Sequence, residues 1–363
     1  MSLLHQTRTS TLGLFEKRVA GDDSLLELAR LRFRQAGMGA EMHADTPEEL
    51  EALLRFKPAK HGDVIVHLAR DVSLIEEEGR RRILDFAGRF AGRIGGLVVH
   101  DQSDLAARKA EYHRAAWEMD DLLEKIDRCP LLFIEYAAGI EPEAFAAFFE
   151  ATRDLDRICA CIDIGHVGLR EARAAYASAH GGEDLCALKA QPQLLPELMP
   201  AIEAAVSRGA AAVLELVERI APLGNPVHFH LHDGHPLSTA SPFGVSDHLS
   251  FLAEIPLEFE YRGRRAVAPM FGPAGLARLV ARTLQLMGRR RLSFTLEIHP
   301  TGGRLGLADA AGLFRHWTDK TNAEQMNHWL SVLQVNHALL RQAIQDAPPA
   351  APVERAAPET DSR

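Results

Sequence analysis

Short apolar runs alternate with longer segments of helical periodicity along most of this 363-residue chain. ThrLeuGlyLeuPhe (11–15) is short, apolar and compatible with a strand. Residues 22–36 then set Leu25, Leu26, Leu28, Leu31 and Phe33 at helical spacing in an Arg- and Glu-rich frame. GlyAlaGluMetHisAla (39–44) reads as a second strand. ThrProGluGlu (46–49) reads as a helix start, with Thr46 as cap, Pro47 in the first turn and acids following. The alternation continues with strands over 63–69, 96–100 and 130–136, at the apolar run ending in Asp163, and over 226–233 and 292–300. Helices are expected over 73–93, about 103–127, from the GluProGlu opening at 141, and over 194–221, 273–288 and 322–345.

Eight strands alternating with helices imply an α/β chain folded as a (β/α)8 TIM barrel. An open doubly wound sheet is the competing architecture. The barrel is preferred because polar residues recur at nearly every strand end, and only a ring brings those ends to one point. No GxGxxG or GxxxxGK[ST] follows a strand, which removes support for a classical nucleotide fold. Long connections follow the sixth and seventh strands. The first includes residues 181–193, and the second spans 234–272, with a small hairpin at 258–267 turning at Gly263. Such loops are expected to wall or cover a barrel mouth. Arg262, Arg264 and Arg265 near the hairpin tip read first as solvated charges, and second as contacts for an anionic or hydroxyl-rich ligand. Residues 1–345 are expected to form one barrel domain, and the Pro-, Ala- and charge-rich 346–363 a disordered tail.

Composition narrows the setting. The chain is 47% hydrophobic and 25% charged, ordinary for a globular protein. No apolar stretch approaches the roughly 20 residues of a membrane helix. The first residues lack an apolar signal core, and Cys129, Cys159, Cys161 and Cys186 show no CxxC spacing, so a reduced cytoplasm is expected. The formal charge is −9, and the ArgArgArg runs at 80–82 and 289–291 read as solvated helix ends. Nucleic acid is therefore not an expected partner.

The chemistry concentrates at strand ends. CysIleAspIleGlyHis (161–166) delivers a carboxylate and an imidazole together at the tip of a buried stem. That suits a metal or a polar substrate, although Asp163 could equally cap the next helix. Strand alternation predicts inward positions for His67, His100, Glu135, Asp163, one of His228, His230 or His232, and Glu297. His166 and Asp233 lie just beyond, His43, Asp247, His248 and His299 are further candidates, and His235 also falls just after a predicted strand. Several inward carboxylates are tolerable only if something positive pairs with them, and a divalent metal does so.

These pieces resemble the xylose-isomerase-like barrel superfamily, which includes sugar isomerases and epimerases and the endonuclease IV type of AP endonuclease. The resemblance rests on PheIleGluTyr (133–136), CysIleAspIleGlyHis (161–166), HisLeuHisAsp (230–233), SerAspHisLeu (246–249) and ThrLeuGluIle (295–298). HisLeuAlaArgAsp (67–71) and ValValHisAsp (98–101) match more weakly. It implies a metal held by Glu135, Asp163, His230 and Glu297, with His230 chosen because HisLeuHisAsp matches the His-x-x-Asp pattern. In an isomerase, Glu135 and Glu297 would move a proton beside a metal-held carbonyl, and His166 would bind a substrate oxygen. Mn²⁺, Mg²⁺, Co²⁺ or Zn²⁺ would suit that ligand set. In an endonuclease-type hydrolase, His67 and His100 join Glu135 around another zinc, and His166 helps hold a third. There the usual Asp-x-His pair is replaced by adjacent Asp247 and His248. The tyrosine-bearing motif that usually follows the third-strand histidine is also missing, replaced by LeuAlaArgAsp (68–71). The expected function is a metal-dependent isomerase or epimerase of a small sugar-like substrate. A di- or trinuclear zinc hydrolase, or a dehydratase of a keto-polyol, is the alternative. Barrels of this type often pair, so a homo-oligomer is compatible with the resemblance.

Overall fold

The computed structural model describes residues 7–9, 22–55, 64–191, 193–237, 260–261, 264–265, 270–288, 292–298 and 322–348. Its first strands are β1 (Thr7–Thr9), β2 (Ala40–His43), β3 (Val64–His67), β4 (Gly96–His100) and β5 (Leu131–Glu135). They are followed by β6 (Ile158–Asp163), β7 (Val227–Leu231), β8 (Glu260–Tyr261), β9 (Arg264–Arg265) and β10 (Leu292–Leu296). Strands β8 and β9 form a separate antiparallel pair, at the place of the expected hairpin. The others run in parallel in the order β1-β10-β7-β6-β5-β4-β3-β2. The end strands β1 and β2 approach each other. The all-parallel sheet is thus nearly closed into a barrel, with helices between its strands.

The helices are α1 (Asp23–Gln35), α2 (Pro47–Leu54), α3 (Glu77–Arg89), α4 (Lys109–Glu124), α5 (Pro142–Ala151), α6 (Ile164–Ala179), α7 (Leu195–Ile220), α8 (Gly272–Met287) and α9 (Asn322–Asp346). Thr46 caps α2 as its sequence implies, accepting the Glu49 amide at 3.2 Å. Three boundaries differ from expectation. The first strand lies at 7–9, and residues 11–15 are outside the described residues. Three residues bonded to Phe294–Leu296 leave no periodic trace for a sequence reading to find. Helix α4 starts at Lys109 because Asp104 accepts bonds from Tyr112 and Arg108, which hold 103–108 as turns. Helix α3 covers only 77–89 of the expected 73–93. The hydrophobic pattern there reports burial and continues past the helix ends.

Both faces of the sheet are covered. Val64, Val66, Leu97, Val99, Leu132 and Ile134 face the helices and pack with Ile83, Phe86, Met119 and Phe145. The alternate residues Ile65, Val98, Phe133, Cys159 and Cys161 fill the interior as a separate apolar cluster. Each large side chain buried this way contributes roughly 1.5–3 kcal/mol. The long connection between β6 and β7 is packed structure. Leu169, Tyr176, Leu185, Ile202 and Val206 make a second core between α6 and α7. A Cβ on Gly209 would stand 2.3 Å from the Gly168 carbonyl, so the missing side chain permits that close helix crossing. All four cysteines are free and buried. Among the described residues, no helix is long and apolar enough to cross a membrane.

Helix α9 closes the outer layer with Leu330, Val332, Leu333 and Leu340 in the main core. His337 on that helix is 4% exposed. Burial, with help from Arg341, pushes its imidazole down to about 4. The folded protein therefore binds fewer protons than the unfolded chain below pH ~6.5, so stability falls as pH drops from there toward 4. His337→Leu should remove about 2–3 kcal/mol of that pH dependence. Denaturant unfolding of both proteins at pH 7 and pH 4.5 measures it, and parallel losses would show that His337 is not the titrating group.

Candidate metal centre

The strand register delivers the polar side chains to one end of the sheet. In-register pairs are His43 with His67, His100 with Glu135, Asp163 with His230, and His230 with Thr295. Glu297 follows β10 immediately, its amide bonded to the Leu231 carbonyl at 3.1 Å. On β3, β4, β5 and β6 the preceding inward position is apolar or weakly polar: Ile65, Val98, Phe133 and Cys161; on β2 and β7 and before Glu297 it is polar: Glu41, His228 and Thr295. The centre therefore adjoins an apolar cluster on one side of the barrel and buried polar side chains on the other.

Three ligand groups adjoin one another. In the first, His67 Nε2 lies 2.7 Å from Glu135 Oε2, and His100 Nε2 lies 3.6 Å from the same oxygen. In the second, His230 Nδ1 lies 3.2 Å from Glu135 Oε1 and 2.8 Å from Glu297 Oε2, with Asp163 completing the set. In the third, His232 Nε2 lies 2.8 Å from Asp163 Oδ1, and His166 Nε2 lies 3.7 Å from Asp163 Oδ2. The candidate ligand atoms of each group all fall within 4.8 Å of one another. Glu41–His67–His230 and Cys161–His228–His230 meet the same test deeper in the barrel.

The atoms fit a cation better than they fit each other. His230 Nδ1 and Asp163 Oδ2 are buried without a hydrogen-bond partner. The 2.8 Å approach of His230 Nδ1 to Glu297 is thus close but misaligned for a hydrogen bond. Adjacent ligand atoms around a cation with bonds of about 2.0–2.2 Å stand roughly 3 Å apart in just this relation. Electrostatics agrees. Burial opposes ionisation of Glu135, yet His230, His100 and His67 hold its carboxyl well below the usual range. Burial likewise opposes charge on His67 and His232, while Glu135 and Asp163 respectively raise them. Burial pushes His100 down to about 3 despite Glu135, so its ring is neutral near pH 7.

Of the roles considered for Asp163, the helix cap is present: its Oδ1 accepts the His166 amide at 2.8 Å and caps α6. The same carboxylate is a member of two of the candidate ligand groups. Glu135, Asp163, His230 and Glu297 are brought together, as are His67 and His100 with Glu135, and His166 with Asp163. Asp233 is placed differently. It accepts the amides of Gly234, Phe271 and Gly272 and ties the start of the long connection to the start of α8. His235 accepts the Leu237 amide and is in none of these groups. Asp247, His248, Arg262 and His299 lie outside the described residues. Sequence reasoning missed Glu41 and treated His228, His230 and His232 as alternatives. All three face inward in separate roles, as strict alternation in HisPheHisLeuHis (228–232) could have indicated. Glu41 stands two residues before His43 on the same face, which was its available signal.

No protein-family model matches this chain, and comparison with curated proteins finds no match.

The glycine of the AspIleGlyHis stretch has a steric role. A Cβ on Gly165 would fall 1.9 Å from His232 Cε1. Gly165→Ala should displace that ring from Asp163 and cost about 1–3 kcal/mol. Gly88→Ala, where a Cβ meets nothing within 4 Å, should be neutral or stabilise by up to about 1 kcal/mol. Denaturant midpoints compare the two, and equal midpoints would show that His232 is not held against Gly165.

Proposed function

We propose that this chain is a multinuclear divalent-metal enzyme of the xylose-isomerase-like superfamily, a complete (β/α)8 barrel that hydrolyses a small phosphodiester or similar substrate. One observation carries the reading. Glu135 divides its carboxylate between two ligand groups, Oε2 toward His67 and His100 and Oε1 toward His230. A carboxylate so placed suits a bridge between neighbouring cations. Asp163 belongs to both the second and the third group.

His67, His100 and Glu135 would hold one cation, and Glu135, Asp163, His230 and Glu297 a second. Asp163, His166 and His232 would hold a third. Imidazole-rich flanking groups suit Zn²⁺ or Co²⁺, and the carboxylate-rich middle group also accepts Mn²⁺ or Mg²⁺. When bound, such ions would polarise a substrate oxygen and make water a nucleophile near neutral pH. The protein's share is to fix the ligands on rigid strand ends and keep His100 neutral. The formal charge of −9 argues for a small substrate over nucleic acid.

The isomerase reading keeps one specific support. Glu135 and Glu297 both flank His230 Nδ1, at 3.2 and 2.8 Å, as a proton-removing and proton-returning pair would. Metal counting separates the two. Elemental analysis of freshly purified protein should find two or three divalent ions per chain, and a chelator should abolish turnover of bis(4-nitrophenyl) phosphate. The His67→Ala, His100→Ala double variant should lose one equivalent and at least about 100-fold in that activity, an effect of the size expected when a catalytic charge is removed. One metal per chain, with the double variant unaffected, would support isomerisation instead.

A further inference from the structure

His230 is shared between two environments. Its Nδ1 faces Glu135 and Glu297, while its Nε2 lies 3.0 Å from Glu41 Oε1, on the far strand β2. Glu41 is fully buried. Its other oxygen, Oε2, is 3.1 Å from His228 Nε2 and accepts the Thr295 hydroxyl. His228 is anchored in turn, its Nδ1 lying 2.7 Å from Ser293 Oγ. Both Glu41 oxygens are therefore occupied by donors. An acceptor so filled is poorly available to a cation, although Glu41, His67 and His230 lie close enough to be considered one. A ring nitrogen that donates to a carboxylate cannot also be a ligand, so Nε2 is committed to Glu41 and only Nδ1 is left for the centre.

We infer that Glu41 is the positioning residue of the metal centre, accepting from His230 Nε2–H so that Nδ1 is turned to Glu135, Asp163 and Glu297 and is the ring's one atom for a cation. The inference rests on the metal reading above. A carboxylate behind a ligating imidazole fixes the ring's orientation and makes it a more basic ligand, and its loss commonly costs about 10–100-fold in metal affinity. Thr295 supports the same oxygen network from β10. Strands β2, β7 and β10 are thereby joined through one carboxylate across the barrel interior.

The test pairs Co²⁺ affinity with the Nε2–H proton that His230 donates to Glu41. Affinity is read by competition with a chelating dye and the proton by ¹⁵N-histidine NMR of the metal-free protein. Wild type should show a slowly exchanging Nε2–H signal. Glu41→Met, which keeps bulk and removes the acceptor, should bind Co²⁺ about 10–100-fold more weakly, change its visible spectrum and lose the protection of that proton. Glu41→Gln, whose amide oxygen still accepts, should recover part of the affinity. Thr295→Val should weaken binding severalfold in the same direction, and it carries the comparison if Glu41→Met does not fold. A purely structural role would lower the melting temperature while leaving spectrum and Nε2–H signal unchanged, and that result overturns the inference. If wild type binds no Co²⁺, the metal reading fails on its own. The Nε2–H signal still decides Glu41: its loss in the variants upholds the hold on the ring, and its persistence refutes it.

Discussion

The burial of carboxylates inside a parallel sheet is the constraint on which this structure turns. Glu41, Glu135, Asp163 and Glu297 are all nearly inaccessible to solvent. An isolated buried carboxylate costs several kcal/mol, more than one apolar core side chain returns. The chain compensates by facing them with imidazoles on neighbouring strands and by supplying backbone donors such as the His166 amide. That compensation is incomplete where His230 Nδ1 and Asp163 Oδ2 remain without hydrogen-bond partners. A stable fold rarely leaves such atoms buried without a functional reason.

The same constraint divides the interior. Apolar Ile65, Val98 and Phe133 form one cluster. Beside it Glu41, in register with Ile65, makes a hydrogen-bonded network with His228, Ser293 and Thr295. The candidate ligands lie at the strand ends. This ordering separates atoms committed to holding the fold from atoms left for chemistry. It also makes the centre rigid, because each ligand sits on or beside a strand whose register is pinned by two neighbours.

Much of this was legible along the chain. Period-two alternation placed His67, His100, Glu135 and Asp163 on the inward face, because a strand sends every second side chain to the same side. Apolar runs separated by amphipathic helices identified the parallel α/β architecture, because a sheet covered by helices is apolar on its helix-facing side and buried on both. The boundaries of α3, α4 and β1 were not legible. Those of α4 and β1 depend on Asp104 with its partners and on ladder bonds to residues nearly 290 positions away.

Sequence alone determined which residue types sit at strand tips, since that is a local matter of periodicity. Only the tertiary structure decided how they divide into groups. Glu41 and His230 are 189 residues apart and meet because the sheet curves until β2 faces β7 across its interior. His232 reaches Asp163 only because Gly165 leaves room for its ring. Glu135 can serve two groups because its two oxygens face opposite neighbours, a property of position in a curved sheet that no local pattern records.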